Sequence, residues 1–254
     1  MSDALFPLTA KYDLDWTMQN SVGENVLYDL ESLCEIIDIQ EDKRILDLGC
    51  GNAISSIFLA KEFNAHVWAI DKWASPADNY QRAIESGAGD RVHPLKADAR
   101  NLPFPKEFFD IAISINSYHL FGMDASYLPY LAQFIKRGGF VGIVDTCPTK
   151  EFGSPSVAPQ HLKPTETNNR GHVHPIKWWR DLWEETGLIS VLRAEALPYS
   201  DFILQNFIDD MDDNKDSGAE RPTAATSLAN AEGFVTLFSM VGQRTDKKID
   251  SEPF

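Results

Sequence analysis

Apolar and polar positions along the chain form two alternating patterns. Short segments of five to seven residues, most of them rich in apolar residues as is typical of buried strands, predict strands over about 44–48, 66–70, 92–96, 109–115 and 140–144. Between them, apolar positions recur every three or four residues, as over 24–37 and 53–63, and predict amphipathic helices. Strands that alternate with helices are typical of a doubly wound, mostly parallel sheet. The pattern therefore predicts an α/β fold.

Capping residues and glycines predict where some of these helices begin and end. Asn52 directly precedes the helix over about 53–63 and is predicted to cap its N-terminus. A later helix is predicted to begin at Asp124 or Ser126 and to end at Gly138-Gly139.

The pattern changes after residue 145. Residues 146–175 contain five prolines and little periodicity, which predicts a long loop or lid. A helix over 176–186 and two further strands, over 188–194 and 234–241, complete a predicted sheet of seven strands. The acidic and then small polar segment over about 209–230 is predicted to be an excursion from the fold.

Composition and charge limit the function classes. The 254 residues are 43% apolar and carry a formal net charge of −15. This charge repels phosphate backbones, and the scattered lysines and arginines form no basic patch, so nucleic-acid binding is disfavoured. No apolar run reaches the roughly 18 residues of a membrane span, and Met1-Ser2-Asp3-Ala4 does not begin a secretion signal. With three widely spaced cysteines, these features predict a cytoplasmic protein without a membrane partner.

A glycine turn follows the first predicted strand. Residues 45–51 read Ile-Leu-Asp-Leu-Gly-Cys-Gly, and Asp71, which ends the second predicted strand, lies twenty positions after Gly51. Glycines let the backbone approach a ligand closely, and an acid at this spacing binds ribose in nucleotide-binding folds. A dinucleotide fingerprint needs a third glycine where this chain has Ile54. The turn therefore favours a nucleoside without phosphates, which points to S-adenosylmethionine.

The order of elements and motifs resembles the class I S-adenosylmethionine-dependent methyltransferases, in particular the small-molecule subgroup with an N-terminal helical cap. The first motif of that family matches Asp47-Leu48-Gly49-Cys50-Gly51-Asn52-Ala53, with alanine at the third small position. The resemblance implies a Rossmann-like sheet of seven strands in a single methyltransferase domain over 1–254. Its expected parts are a cap (1–40), a cofactor-binding half (41–145), a lid loop inserted after strand five (146–175) and the rest of the sheet (176–244).

The resemblance also implies a set of residues that bind S-adenosylmethionine. Asp47, Gly49 and Gly51 would line its methionyl part, and Asp71 would accept from both ribose hydroxyls. Lys72 follows Asp71 directly.

The adenine and the sulfonium are assigned to later positions. Trp73 would pack on the adenine face, although a core role is equally open for an aromatic at this place. Ala97, Asp98 and Ala99 match the turn that recognises adenine, where Asp98 would accept from the exocyclic amine. Asn116, after the fourth strand, would lie beneath the sulfonium.

Candidate catalytic groups follow Asn116. His119 has a suitable ordinary pKa for a general base, and a purely structural role is an equal alternative. Tyr118 would line the methyl-transfer channel or simply pack. His172 and His174 are assigned to the lid, because neither a cysteine cluster nor a nearby acid completes a metal site, and no metal is predicted. The cap offers further candidate contacts for cofactor or acceptor, each with packing against the sheet as an equal alternative: Tyr12, Trp16, Glu24 and Asn25.

These features predict methyl transfer to a small-molecule nucleophile whose accepting atom is nitrogen, oxygen, sulfur or carbon. A regulatory or scaffold protein that binds S-adenosylmethionine without turnover is the alternative. A nucleotide-dependent oxidoreductase is disfavoured by Ile54. A small-molecule acceptor is the expected partner, nucleic acid is not, and a homodimer is left open.

Overall fold

The structure is a computed structural model that describes residues 2–21, 25–149, 174–213 and 235–249. Most of the predicted lid loop, with His172, lies outside these ranges, as do Glu24 and residues 214–230 of the predicted excursion. The α-helices within the described ranges are α1 (Ser2–Leu5), α2 (Leu14–Asn20), α3 (Val26–Cys34), α4 (Ile54–Phe63), α5 (Pro76–Glu85), α6 (Tyr127–Ala132), α7 (Ile176–Glu185) and α8 (Ser200–Asp213). None of the described helices combines the length and the apolar character that a membrane span requires.

The described strands form one sheet in the order β3-β2-β1-β4-β5-β7-β6. The strands are β1 (Arg44–Leu48), β2 (His66–Asp71), β3 (Val92–Lys96), β4 (Phe109–Ile115), β5 (Ile135–Pro148), β6 (Ile189–Ala196) and β7 (Val235–Arg244). β1 to β5 pair in parallel, and β7 runs antiparallel to both of its neighbours. The predicted mostly parallel sheet of seven strands is confirmed. The order reverses beside β1 and β4, where open α/β sheets bind ligands at the carboxyl ends of the strands.

The sheet separates two buried apolar clusters, because successive side chains of a strand point to opposite faces. Ile45 of β1 belongs to the cluster that α3 and α4 cover, and Leu46 belongs to the cluster beneath α6 and α7. Trp179 and Trp183, four residues apart on α7, are fully buried in the second cluster. The prediction that these two tryptophans are core residues is confirmed.

Two predicted helix boundaries are wrong. Ala53, with a φ of 62°, occupies the N-cap position of α4, while the amide of Asn52 donates to the carbonyl of Asn20 at 3.0 Å. α6 ends at Ala132, and Gly138-Gly139 lie inside β5 instead of ending a helix. A Cβ on Gly139 would lie 2.5 Å from the carbonyl oxygen of Asp110, so this glycine serves the close approach of β5 to β4.

The predicted excursion begins too early in the sequence. Residues 209–213 are the last residues of α8, which the acidic composition of this segment concealed. The N-terminal half of α8 is anchored: Ile203 is buried, and the hydroxyl of Ser200 donates to the carbonyl of Leu237 at 3.1 Å. The helix therefore packs on β7, which lies inside the sheet.

A single buried carboxylate attaches the N-terminal segment to α3. Glu31 accepts hydrogen bonds from the backbone N–H groups of Leu8 at 2.9 Å and Thr9 at 2.7 Å, and only 4% of Glu31 is exposed. These donors belong to the turn around the 3-10 helix Thr9–Lys11. The contact fixes the N-terminal part of the predicted cap against α3, the helix of the cap that borders the sheet.

Glu31→Ala should lower the free energy of unfolding by about 2–3 kcal/mol, because two buried N–H donors lose a charged acceptor. Urea denaturation followed by circular dichroism measures the change. Glu35→Ala, on the exposed C-terminal side of α3, is the matched control and should stay within about 0.5 kcal/mol of the wild type. Equal stability of the two variants would contradict this account of the cap.

Candidate functional site

The glycine turn after β1 adopts a conformation that few residues other than glycine tolerate. Gly49 and Gly51 have φ values of 70° and 52°. A Cβ on Gly49 would lie 2.3 Å from the hydroxyl oxygen of Ser117, which follows β4. Gly49 thus allows the loop after β4 to approach the loop after β1. The N–H groups of Gly49 and Cys50 donate to the carbonyl of Ile70, so the turn is also tied to β2.

Asp71, at the end of β2, organises the backbone on both sides of it. Its Oδ2 accepts from the N–H of Gly51 at 3.1 Å. Its Oδ1 accepts from the N–H groups of Trp73 at 2.7 Å and Ala74 at 2.8 Å. The carboxylate of Asp71 thus accepts from three backbone N–H groups, out of about four hydrogen bonds that its two oxygens can accept. Asp71 is therefore a structural anchor of the turn as well as a candidate ligand contact.

A cavity of about 630 Å³ lies against this turn, at the carboxyl ends of the central strands. All the predicted cofactor residues except Asp47 line it: Gly49, Gly51, Asp71, Lys72, Trp73, Ala97, Asp98, Ala99 and Asn116. The structure therefore brings predicted residues from four separate loops, those after β1, β2, β3 and β4, to one cavity. The cap supplies a further wall that sequence reasoning did not identify, formed by Asn20, Ser21 and Val26.

The cap wall is held in place by polar contacts with the glycine turn and α5. The guanidinium of Arg82 donates to Asn20 Oδ1 at 2.8 Å and to the carbonyl of Asn52 at 3.0 Å. Asn79, which is also on α5, donates to the carbonyl of Gly51 at 2.9 Å. These bonds join the end of α2 to the turn on which a ligand would rest.

Polar groups at one end of the cavity are already paired. Lys72 Nζ lies 2.8 Å from Asp98 Oδ2, and the N–H of Arg100 donates to Asp98 Oδ1 at 2.9 Å. The hydrogen bond from Lys72 and the one from Arg100 lower the pKa of Asp98. Trp73, 72% exposed, borders the same end, with the ammonium of Lys72 over its ring. The core alternative for Trp73 is therefore wrong.

Asp47 does not line the cavity. It is 1% exposed and lies behind the turn, where Ser55 and Ser56 both donate to its Oδ2 at 2.6 Å. Burial raises the pKa of Asp47 to about 6, against the two serine hydrogen bonds that lower it. The structure thus corrects its expected place: Asp47 supports the turn through the first helical turn of α4.

Tyr118 also lies away from the cavity. Its side chain is fully buried among the rings of Phe121, Tyr127, Trp179 and Trp183, with centroid separations of 5.6 to 5.8 Å. Burial raises the pKa of its hydroxyl. The structure corrects the catalytic assignment of Tyr118 and agrees with the packing alternative.

His119 forms a pair with a residue that sequence reasoning missed. Its Nδ1 lies 2.8 Å from Asp145 Oδ1, and its backbone N–H donates to Asp145 Oδ2 at 3.0 Å. Asp145 is on β5 and 1% exposed, whereas the side chain of His119 is 29% exposed. His119 is not among the residues that line the cavity, although it follows three positions after Asn116. In the described part of the chain, no cluster of His, Cys, Asp and Glu is arranged to hold a metal ion.

Comparison with known proteins agrees with this architecture. Residues 45–139 match the family model described as a methyltransferase domain. A fatty-acid O-methyltransferase of Mycolicibacterium smegmatis is 30% identical over 108 residues, which cover 42% of this chain and 39% of that protein. The chain spans less than half the length of the curated relatives it matches.

Solved structures share the fold at lower identity. The cyclase SpnF superimposes with a TM-score of 0.73 at 17% identity, over 96% of this chain and 94% of that one. Phosphoethanolamine N-methyltransferase 2 of Haemonchus contortus, in complex with S-adenosyl-L-methionine, gives 0.71 at 15% identity, over 97% and 58% of the two chains. The predicted methyltransferase fold is therefore confirmed.

Asp47→Asn should change the pH dependence of stability. The folded pKa of about 6 exceeds the usual 3.8, so the wild-type chain loses stability as the pH rises through 6, because a carboxylate must then charge while buried. The amide stays neutral and its oxygen keeps both serine donors. Urea denaturation at pH 4 and at pH 7 measures the free energy of unfolding of both proteins. The difference between Asp47→Asn and the wild type should increase, in favour of the variant, by on the order of 3 kcal/mol from pH 4 to pH 7. A difference that is constant with pH would contradict this environment for Asp47.

Proposed function

We propose that the chain is a class I S-adenosylmethionine-dependent methyltransferase that transfers the methyl group of S-adenosylmethionine to a small-molecule acceptor. The observation that carries the proposal is the cavity between the glycine turn and the cap. Two carboxylates, Asp71 and Asp98, lie in its wall after successive strands, at places that suit a ribose and an adenine. The cytoplasmic location and the homodimer stay predictions.

The chemistry of the cavity wall fits this nucleoside. Its basic side chains, among the described residues, are Lys72 and Arg100. Lys72 is paired with Asp98, and Arg100 donates to the carbonyl of Leu120 at 2.8 Å. Neither is presented to a pyrophosphate, and Asp71 stands where a phosphate would be repelled. A ligand with ribose hydroxyls and an uncharged purine agrees with this wall better than a nucleotide does.

The residues of the cavity mainly have to align two molecules and exclude water. S-adenosylmethionine supplies a methyl group that is already activated, since its sulfonium is a good leaving group. Gly49 and Gly51 permit close approach to the backbone, Asp71 orients the ribose, and the cap wall encloses the opposite side. Alignment in a dry site lowers the barrier without elaborate acid–base chemistry.

The His119–Asp145 pair supplies the acid–base function where the acceptor must lose a proton. The carboxylate lies within hydrogen-bond distance of Nδ1, which orients the imidazole, and it stabilises the imidazolium after proton transfer. Asp145 acts here through His119 and is a positioning residue.

Binding and turnover are separate questions, because one protein of the same fold is named a cyclase. A regulatory protein that binds S-adenosylmethionine without turnover would carry the same cavity. Incubation with methyl-labelled S-adenosylmethionine and a metabolite extract separates the two, since binding alone gives no labelled product.

Asp71→Ala should weaken S-adenosylhomocysteine binding by about tenfold or more, because the ribose hydroxyls lose a charged acceptor and the turn loses its anchor. Isothermal titration calorimetry measures this, with thermal denaturation of each variant alongside. The matched control is Asp78→Ala, an exposed carboxylate on α5. Absence of binding by the wild type would overturn the proposed function, and unchanged binding by Asp71→Ala would remove Asp71 from the ribose site.

Asp145→Asn should lower kcat by about a hundredfold at neutral pH, because the amide cannot hold the imidazole in the same tautomer or stabilise its charge. KM for S-adenosylmethionine should not change. His119→Gln should lose as much, and the double variant should lose no more than either single one. Steady-state kinetics against pH provides the measurement, and wild-type kcat in Asp145→Asn would exclude the pair from catalysis.

A further inference from the structure

Three polar side chains lie where the cap meets the end of β4: Asn25, Asp29 and Asn116, a group that we call the recess. Asn25 is the N-cap residue of α3, and Asp29 lies four positions later, on the same face of that helix. Both are buried, at 5% and 0% exposure. Asn116 Nδ2 donates to Asp29 Oδ2 at 2.7 Å across the boundary between cap and sheet.

Hydrogen bonds fix the orientation of both amides in this recess. Asn25 Oδ1 accepts from the N–H of Leu27 at 3.0 Å, so Asn25 presents its NH₂ group on the other side. Asn116 directs its NH₂ group to the carboxylate of Asp29, so its Oδ1 is the atom left over. Asn25 Nδ2 and Asn116 Oδ1 are both buried and make no hydrogen bond with any described group.

A buried donor and a buried acceptor without partners are uncommon in folded proteins, and they need a ligand or an ordered water. Asn116 lines the cavity, and so does Val26, the first residue of α3. Asn116 also has a φ of 52°, a conformation that costs energy for a residue other than glycine and is typical of functional sites. The recess therefore adjoins the cavity at the end away from Asp98.

The charges around the recess favour one kind of chemical group on the methyl acceptor. Asp29 lies within it, and Asp145 stands behind His119, three residues after Asn116. Of the two basic side chains of the described cavity wall, Lys72 is paired with Asp98, and Arg100 is engaged by the carbonyl of Leu120. A carboxylate or phosphate placed beside Asn116 would meet negative charge, whereas an ammonium group would be attracted.

We propose that the amino group of the methyl acceptor, which is a small amine, binds in this recess at Asn116 Oδ1, the amide that Asp29 holds. This inference rests on the proposed function. Asn116 Oδ1 accepts an N–H of the substrate, and Asp29 is the positioning residue that fixes the amide. The ammonium must first lose a proton, for which His119 is the base in the proposed function; the nitrogen lone pair then forms the new N–C bond, and the C–S electron pair passes to sulfur to give S-adenosylhomocysteine.

The test uses three probes of one shape: phenethylamine, 2-phenylethanol and phenylacetate. Each is titrated calorimetrically into the full-length protein saturated with S-adenosylhomocysteine, so that binding is measured without turnover. Phenethylamine should bind about tenfold more tightly than the alcohol, since an ammonium N–H makes a charge-assisted hydrogen bond, and phenylacetate should bind most weakly. Tighter or equal binding of phenylacetate, or no binding of phenethylamine, overturns the proposal.

Asp29→Asn should remove most of this preference for the amine, while the affinity for S-adenosylhomocysteine stays within about twofold. Asp110→Asn is the matched control: it changes a carboxylate at the opposite end of β4 and should keep the preference. A merely structural role for Asp29 would weaken all three probes and the nucleoside together. If Asp29→Asn does not fold, the order in which the wild-type protein binds the three probes still tests the proposal.

Failure of this inference and failure of the proposed function give different results. Binding of S-adenosylhomocysteine without a preference for the amine overturns the inference alone. Transfer of the labelled methyl group to the alcohol or the carboxylate probe, with none to the amine, also overturns the inference alone. No binding of S-adenosylhomocysteine overturns both.

Discussion

The carboxylate of Asp71 is the interaction on which the arrangement of the cavity depends. It accepts from the N–H of Gly51 on one side and from the N–H groups of Trp73 and Ala74 on the other. The loop after β1 and the loop after β2 are therefore held together by one residue of β2. Because these bonds satisfy backbone groups that would otherwise need water, the turn stays in the conformation that its glycines permit.

A second carboxylate, that of Asp47, lies behind the glycine turn and supports it. Asp47, fully buried, accepts from the hydroxyls of Ser55 and Ser56 at the start of α4. Burial, and after it the charge of Asp47, raises the pKa of the Cys50 thiol. Two acids near one turn repel each other, which the raised pKa of Asp47 reflects in part. The acid of the first motif thus serves the geometry of the turn, and the acid at the end of β2 is the one that reaches the cavity.

The sequence predicts the sheet and nine of the residues that line the cavity, because both depend on local patterns: apolar runs, glycines, and acids at strand ends. It does not identify Asp145 or Asp29, because each acts through a partner far away in the sequence, 26 and 87 positions from His119 and Asn116. Asn52 and Gly138-Gly139 mislead for a related reason. Their capping signals are local, but a tertiary hydrogen bond to Asn20 and a close approach to Asp110 decide their conformations.

Asn116 lies between the two proposed binding sites of the cavity, the one for the nucleoside and the one for the amino group of the acceptor. The loop after β4 is fixed on the nucleoside side by Ser117, which donates to the carbonyl of Leu48 at 2.8 Å, and on the cap side by the bond from Asn116 to Asp29. A change in the cap that moved α3 would therefore move the same loop that touches the glycine turn. Acceptor choice and cofactor geometry are mechanically coupled through these two adjacent residues, so a cap that selects a different acceptor must keep a partner for the Asn116 amide.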